Sequence, residues 1–534
     1  MDRRRFLGLV GAATASTVAT GAVHGANEGY GVERTDVSVE SFDGTTIETT
    51  VFEPENDGSY PAVLATHGWG GSRDQNFGEG EQYAADGYVL LTFDSRGFGE
   101  SEGEVGVDGP KEVRDVAALI DYLADHPKVA TDRNGDPRVG MFGGSYAGGI
   151  QLNAAAYDDR IDVIVPEICW HSLNYALQPN GVVKTAWGAG LYAVGIGGSR
   201  QHEFTSGDVP GLREGMDPQV HRGIAEGVAL NGFTEETQAY FALRSPKHKL
   251  DRIDVPTLFI QGWTDHLFVP NEAVRNFQGL QDRGVETKLL FYNEGHEQIP
   301  VDGEYPQAVD VSDEARKAWL DAHLKRGKDA ATARKRLETL FPESVTYYAT
   351  QTEQNLTAEG LPPADSESKA VTLSAVAGEG SSPVLNGPGT SNSYVVKQSY
   401  DTPGSSVDFD VPAERLGADA GRIELLGTPT LDLEVTPLGR EAFLFCKLYH
   451  VAADGTETHV DDQVTPLRVT ASPDDVGSVQ TVSVDLVTVQ RFLEAGETLR
   501  LTVAGADAGF NVSRQAAGAL VDHASTLSLP VRDA

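Results

Sequence analysis

The stretch Arg138–Gly149 leaves this chain few ways to fold. Arg138-Val139-Gly140-Met141-Phe142 reads as a short buried strand, being apolar with a β-branched and an aromatic residue. Gly143-Gly144-Ser145-Tyr146-Ala147-Gly148-Gly149 follows, and Ile150, Leu152 and Ala154 to Ala156 then read as the start of a helix. Strand, glycine turn, serine and helix describe an elbow that lifts the serine clear of a sheet edge. A turn this sharp strains the serine backbone, and a large neighbour would strike the strand or the helix. The stretch departs from G-x-S-x-G by one methyl group, with Ala147 at the second glycine position.

The residues around the elbow repeat a strand–helix alternation. Residues 34–53 alternate in the strand manner about a hairpin at Asp43-Gly44. Ala62–Thr66 and Val89–Phe93 are continuous apolar runs, suited to strands covered on both faces. Glu112–Leu123 is an amphipathic helix, and Ile161–Pro166 a further strand. The alternation stops between about Cys169 and Leu250, a span too long for a connection, and resumes with Pro256–Gly262 and Thr287–Tyr292. This pattern predicts a doubly wound α/β sheet over residues 29–344, with a helical cap inserted at about residues 169–250. From residue 345 to 534, short alternating runs between Gly/Pro/Asp turns predict an all-β sandwich or jelly roll; they include Val407–Val411, Thr430–Val435, Phe443–Val451 and residues 394–397.

Composition narrows the class. The net charge is -37, from 42 basic and 79 acidic residues, which excludes a nucleic-acid binder. Acidic residues spread along the whole length suit a chain adapted to high salt, where counterions screen the self-repulsion. Residues 1–28 read as an export leader. Arg3-Arg4-Arg5-Phe6-Leu7 precedes a weakly apolar Gly/Ala/Thr/Val run, resembling a twin-arginine signal, so the expected location is extracellular. No later run is long and apolar enough to span a membrane, so no stable membrane insertion is expected after the leader is removed. Cys169 and Cys446 make no disulfide framework, and no metal-ligand spacing occurs; no metal or cofactor is expected.

A serine hydroxyl becomes a useful nucleophile when a base about 3 Å away accepts its proton. The later strands supply partners at their carboxyl ends. Gly262-Trp263-Thr264-Asp265 follows one and Asn293-Glu294-Gly295-His296 the next. The order Ser, Asp, His is that of α/β-hydrolases. Ser145 is thus the expected nucleophile, His296 the general base and acid, and Asp265 the group that orients the imidazole. Asp94, His248, His266 and His323 compete for these roles on residue type alone. An oxyanion hole needs two donors; the backbone N–H groups of Tyr146 and Trp69 are the expected pair, with His67 bracing its loop.

Gly143-x-Ser145-Tyr146-x-Gly148, Asp94-x-Arg96-Gly97-x-Gly99-x-Ser101-x-Gly103, Gly262-Trp263-x-Asp265 and Gly295-His296 together resemble the Xaa-Pro dipeptidyl-peptidase and cocaine-esterase family of serine hydrolases. The resemblance covers nearly the whole mature chain, including the carboxy-terminal jelly roll. It implies an α/β-hydrolase with a cap and an acyl-serine intermediate, acting on a small-molecule or peptide substrate through an ester or amide bond. A dipeptidyl peptidase would need a carboxylate to hold the substrate's amino group, and Glu167 is the candidate. In the family's esterases a tyrosine hydroxyl after the first buried strand helps form the oxyanion hole, and here that loop carries Trp69 instead. The alternative from another class is a catalytically silent extracellular protein whose β-sandwich binds a carbohydrate or a surface. Salt adaptation carries its own prediction: the melting temperature should rise between low salt and molar KCl, and a flat profile would refute it.

Overall fold

The computed structural model describes residues 30–199, 215–296, 308–373, 380–386, 406–511 and 518–534. The leader expected over residues 1–28 and the strand expected over residues 394–397 lie outside the described residues.

Strands β1 (Val32–Glu40) and β2 (Thr46–Pro54) form the expected antiparallel hairpin. Then come β3 (Ala62–Thr66), helix α1 (Phe77–Ala85), β4 (Val89–Phe93), α2 (Pro110–Asp125), β5 (Val139–Gly144), α3 (Tyr146–Ala155) and β6 (Ile161–Glu167). The inserted stretch carries α4 (Leu173–Leu177), α5 (Thr185–Gly198), α6 (Pro218–Leu230) and α7 (Glu235–Leu243). The sheet resumes with β7 (Thr257–Gly262), α8 (Pro270–Gln281), β8 (Thr287–Tyr292), α9 (Ala308–Leu324), α10 (Gly327–Leu340), β9 (Val345–Ala349) and β10 (Gln354–Ala358). The order across the sheet is β1-β2-β4-β3-β5-β6-β7-β8-β9-β10, parallel from β4 through β9 and antiparallel at both edges.

Strand periodicity decides what each face meets. Ala62, Leu64 and Phe259 share one core with Val116, Ile120, Ile150 and Phe277 of α2, α3 and α8. Val63, Ala65, Leu258 and Ile260 share the other with Tyr83, Trp319 and Leu337 of α1, α9 and α10. The doubly wound expectation therefore holds. The sheet also runs past the expected boundary at residue 345. Leu289–Phe291 pair in parallel with Val345–Tyr347, and β10 closes the edge. Val345–Ala349 is rich in the β-branched and aromatic residues that strands favour, but pairing alone decides which sheet it joins.

Two antiparallel sheets follow. One is ordered Ser381–Leu385, Gly518–Asp522, Thr430–Pro437, Thr526–Asp533, Ile423–Gly427, Val489–Leu493, with Glu367–Thr372 and Gln480–Asp485 also paired to it. The other is ordered Ser406–Pro412, Thr498–Ala504, Glu441–Val451, Glu457–Thr470. Leu431, Leu433 and Val435 meet Phe409, Leu444 and Leu501 between them. Ile423–Gly427 and Val489–Leu493 are buried throughout and do not alternate. They are sandwiched between two cores: Leu425 and Leu493 face the β-sandwich, while Leu426 and Phe492 join the core of the α/β unit. Cys169 and Cys446 are free and buried.

Candidate active site

Ser145 caps α3 with φ 58 and ψ -119, a region that L residues seldom adopt. The surrounding bonds hold it there. Its N–H donates to Glu167 O (2.9 Å), and its carbonyl accepts from the N–H groups of Gly148 and Gly149. A Cβ on Gly148 would stand 2.7 Å from Glu167 O, so β6 and α3 can approach only across a glycine. A Cβ on Gly143 would lie 2.7 Å from that of Ala147. The extra methyl of Ala147 is therefore tolerated because Gly143 opposite carries none.

Asp265 lies in the loop after β7 and is fully buried. Its Oδ1 accepts from the N–H groups of Leu267 and Phe268, both at 2.9 Å. Its Oδ2 accepts from His296 Nδ1 at 2.6 Å. Nδ1 thus carries the proton and Nε2 presents its lone pair. That Nε2 has no hydrogen-bond partner among the described residues. The imidazole is packed edge-on by Phe268 (5.0 Å) and Trp187 (6.1 Å). Two glycines let the loops meet: a Cβ on Gly262 would sit 1.6 Å from Glu294 O, and one on Gly295 would sit 2.6 Å from Asp265 Cα. Trp263 anchors the end of β7, stacking on Phe291 at 3.9 Å and donating Nε1 to Tyr348 O (2.9 Å).

The competing acid and histidines are placed differently. Asp94 pairs with Arg73 and accepts from the N–H groups of Arg73 and Glu100. His323 bonds Trp319 O within α9. His67 braces its loop: Nε2 accepts from Ser95 N–H (3.0 Å), and Nδ1 donates to Gly68 O (2.7 Å). Burial depresses its pKa, which suits that neutral tautomer.

Ser145, Tyr146 and Trp69 line one cavity of about 120 Å³. Tyr146 is the first residue of α3, where an N–H has no intrahelical acceptor. The Trp69 indole donates to Leu191 O (2.7 Å), tying the loop after β3 to the cap, and its ring meets Phe98 and Tyr146 edge-on. The cap supplies Leu177, Leu191, Val220, Ile224 and Val228 to the walls.

Glu167 requires a correction, because it does not line this cavity. Its Oε1 accepts from Arg316 Nη1 of α9 (3.1 Å), and burial raises its pKa. Strand parity gives the reason. Glu167 shares a face with Val163 and Val165, which pack against α9. The sequence carried that parity, but the packing of α9 decides which face of β6 it covers. Lys184 was not anticipated. It lines the cavity and is buried, its Nζ donating to His266 O (2.7 Å) and Leu267 O (2.9 Å) of the acid's loop, and burial pulls its pKa down to about 8.

The geometry now has a context. Residues 43–298 match the X-Pro dipeptidyl-peptidase (S15 family) model, and residues 341–520 match that of the X-Pro dipeptidyl-peptidase C-terminal non-catalytic domain. The chain belongs to this family. It is accordingly a serine hydrolase, a peptidase or an ester hydrolase. The chain is 26% identical over 276 residues to the quorum-quenching protein AidA of Acinetobacter baumannii, an alignment spanning 48% of this chain and 86% of that one. Its fold resembles a CocE/NonD family hydrolase from Staphylococcus aureus (TM-score 0.68, 16% identity, 94% of this chain and 93% of that one). It also resembles an α-amino acid ester hydrolase (TM-score 0.68, 17% identity, 97% and 100%). For a family member built this way, the loop crossing at Gly262 is a sensitive point. Gly262→Ala overpacks it, which costs about 1–3 kcal/mol. A thermal melt should show a lower melting temperature, and ester hydrolysis should fall with it; unchanged values for both would contradict the crossing.

Proposed function

We propose that the protein is an exported acyl esterase that works through Ser145, His296 and Asp265. The reading rests on one observation: the buried Asp265 holds His296 by Nδ1 and leaves Nε2 unbonded, on the same sheet edge as a serine held in a strained turn. In this mechanism Ser145 Oγ attacks the acyl carbon while His296 Nε2 takes its proton. The developing imidazolium is stabilised by Asp265, whose other oxygen is already held by two backbone donors. The oxyanion is received by the N–H groups of Tyr146 and Trp69, the first at the positive end of α3. His296 then returns the proton to the leaving group, and water releases the acyl-enzyme by the same steps in reverse roles.

The cavity walls favour an ester of an apolar acyl group over a peptide with a free amino terminus. Each methylene buried there contributes about 0.8 kcal/mol. An ammonium without a partner costs several kcal/mol, and among the described residues no carboxylate lines the cavity while Lys184 does. The Arg3-Arg4 leader pattern supports export by the twin-arginine route, and the acidic surface supports work in high salt.

Purified protein and its Ser145→Ala variant, assayed in molar KCl, test this. The wild type should hydrolyse a p-nitrophenyl acyl ester much faster than Ala-Pro p-nitroanilide. Ser145→Ala should lose about 10⁴-fold or more while keeping its melting temperature. Undiminished turnover in the variant would remove the serine mechanism. Preference for the anilide would replace the esterase reading with a dipeptidyl-peptidase.

A further inference from the structure

The acid's loop is gripped from outside its own domain. Gln463, in Glu457–Thr470 of the β-sandwich, donates Nε2 to Trp263 O (2.8 Å) and Asp265 O (3.0 Å). It is 4% exposed, so water competes little for these bonds. Its own strand is built to deliver it. Opposite Glu441–Val451 the ladder breaks its register: Lys447 pairs with Val464 and Tyr449 with His459, so Leu448 alone faces Val460–Gln463. A bulge of this kind re-aims a side chain away from its sheet. Asp461 and Asp462 sit at φ 51 and 54, the left-handed region that Asp tolerates better than most residues. The bulge is locked from behind. Asp461 pairs with Arg491 Nη2 (3.1 Å), both buried, and Gln463 O accepts from His459 Nε2 (2.9 Å).

More of the sandwich holds the same region. Asn271, at the start of α8 just beyond the acid's loop, exchanges two bonds with it, donating to Leu486 O (2.9 Å) and accepting from Thr488 N–H (3.0 Å). Gln463 is distinct because it reaches the residue that orients His296.

We propose that Gln463 is a positioning residue for the hydrolytic reaction, and that the carboxy-terminal sandwich thereby completes the active site. The inference rests on the triad reading above. Gln463 fixes the Trp263–Asp265 backbone through two carbonyls, and with it the direction from which Oδ2 meets His296 Nδ1. Without this clamp the peptide planes can rock, and small misplacements of catalytic groups are costly in rate.

The test compares full-length wild type, Gln463→Met, Gln463→Glu and Thr465→Val. Met keeps the length without a donor, and Glu keeps the shape while presenting only acceptors to two carbonyls. Thr465→Val removes a hydroxyl that accepts from Val487 N–H within the sandwich and serves as a purely structural lesion. Measured with a p-nitrophenyl ester, both Gln463 variants should lose about tenfold or more in kcat at nearly constant KM. Their labelling by a fluorophosphonate probe should slow in parallel. Thr465→Val should lower the melting temperature and leave kcat and labelling unchanged. The two Gln463 substitutions provide independent chances of a folded variant. A wild type that labels and turns over, with a folded Gln463 variant at wild-type kcat, overturns this inference alone. A kcat loss in Thr465→Val matching that of the Gln463 variants also overturns it, because stability would then explain the effect. A wild type that neither labels nor hydrolyses any acyl ester overturns the triad reading, and this inference with it.

Discussion

A fully buried carboxylate, Asp265, sets the terms for the rest of the molecule. Taking an ion of this size out of water costs several kcal/mol unless its lone pairs are satisfied. Here Leu267, Phe268 and His296 supply the donors, which requires two loops from neighbouring strands to cross at closer than ordinary side-chain distance. The crossing is possible because Gly262 and Gly295 carry no Cβ. It stays in place because Trp263 is stacked into β8, Lys184 grips the loop from the cap and Gln463 grips it from the sandwich. Three separate parts of the chain thus converge on one short loop. Their cost in ordered side chains is offset by what an unpartnered carboxylate would cost.

The serine side of the site obeys the opposite logic. Ser145 is held by backbone alone, in a conformation of about 1–3 kcal/mol strain that persists only where the surroundings over-determine it. β6 and α3 close around it across Gly148, and Gly143 makes room for Ala147. The cap then roofs the serine with apolar side chains, and Trp69 links roof to floor through Leu191 O. A strained serine, a largely apolar wall and a preset imidazole tautomer suit the proposed acyl transfer, whose charge develops only in the transition state.

The excess of acids also shapes how the arginines are used. Arg96 divides its fork between Asp43 and Asp115, Arg73 between Asp94 and Glu100, Arg160 between Asp158 and Asp121, and Arg500 between Asp410 and Glu457. A guanidinium with five donors can satisfy two carboxylates where an ammonium would hold one point charge. Arg96 accordingly draws the Asp43 carboxyl well below the usual carboxylate range. Acids that do face solvent, such as Asp121 and Glu457, stand where counterions weaken their mutual repulsion.

Much of the architecture was legible in the sequence because periodicity and turn chemistry are local. The run Val139–Gly144 into Ser145 announced the elbow, the continuous apolar strands announced a sheet covered on both faces, and Gly-Trp-x-Asp with Gly-His stood where strands end. Other features were decided only by tertiary structure, because they depend on what a residue meets and not on its own neighbours. Val345–Ala349 joins the first sheet since β8 offers it a parallel edge. Ile423–Gly427 shows no alternation since both of its faces are covered. Glu167 turns to Arg316, a consequence of strand parity combined with the position of α9. Lys184 and Gln463 reach the acid's loop from segments far away in sequence, and no pattern of spacing marks such a meeting. Local chemistry determined which residues could do the work; long-range packing decided which of them face one another.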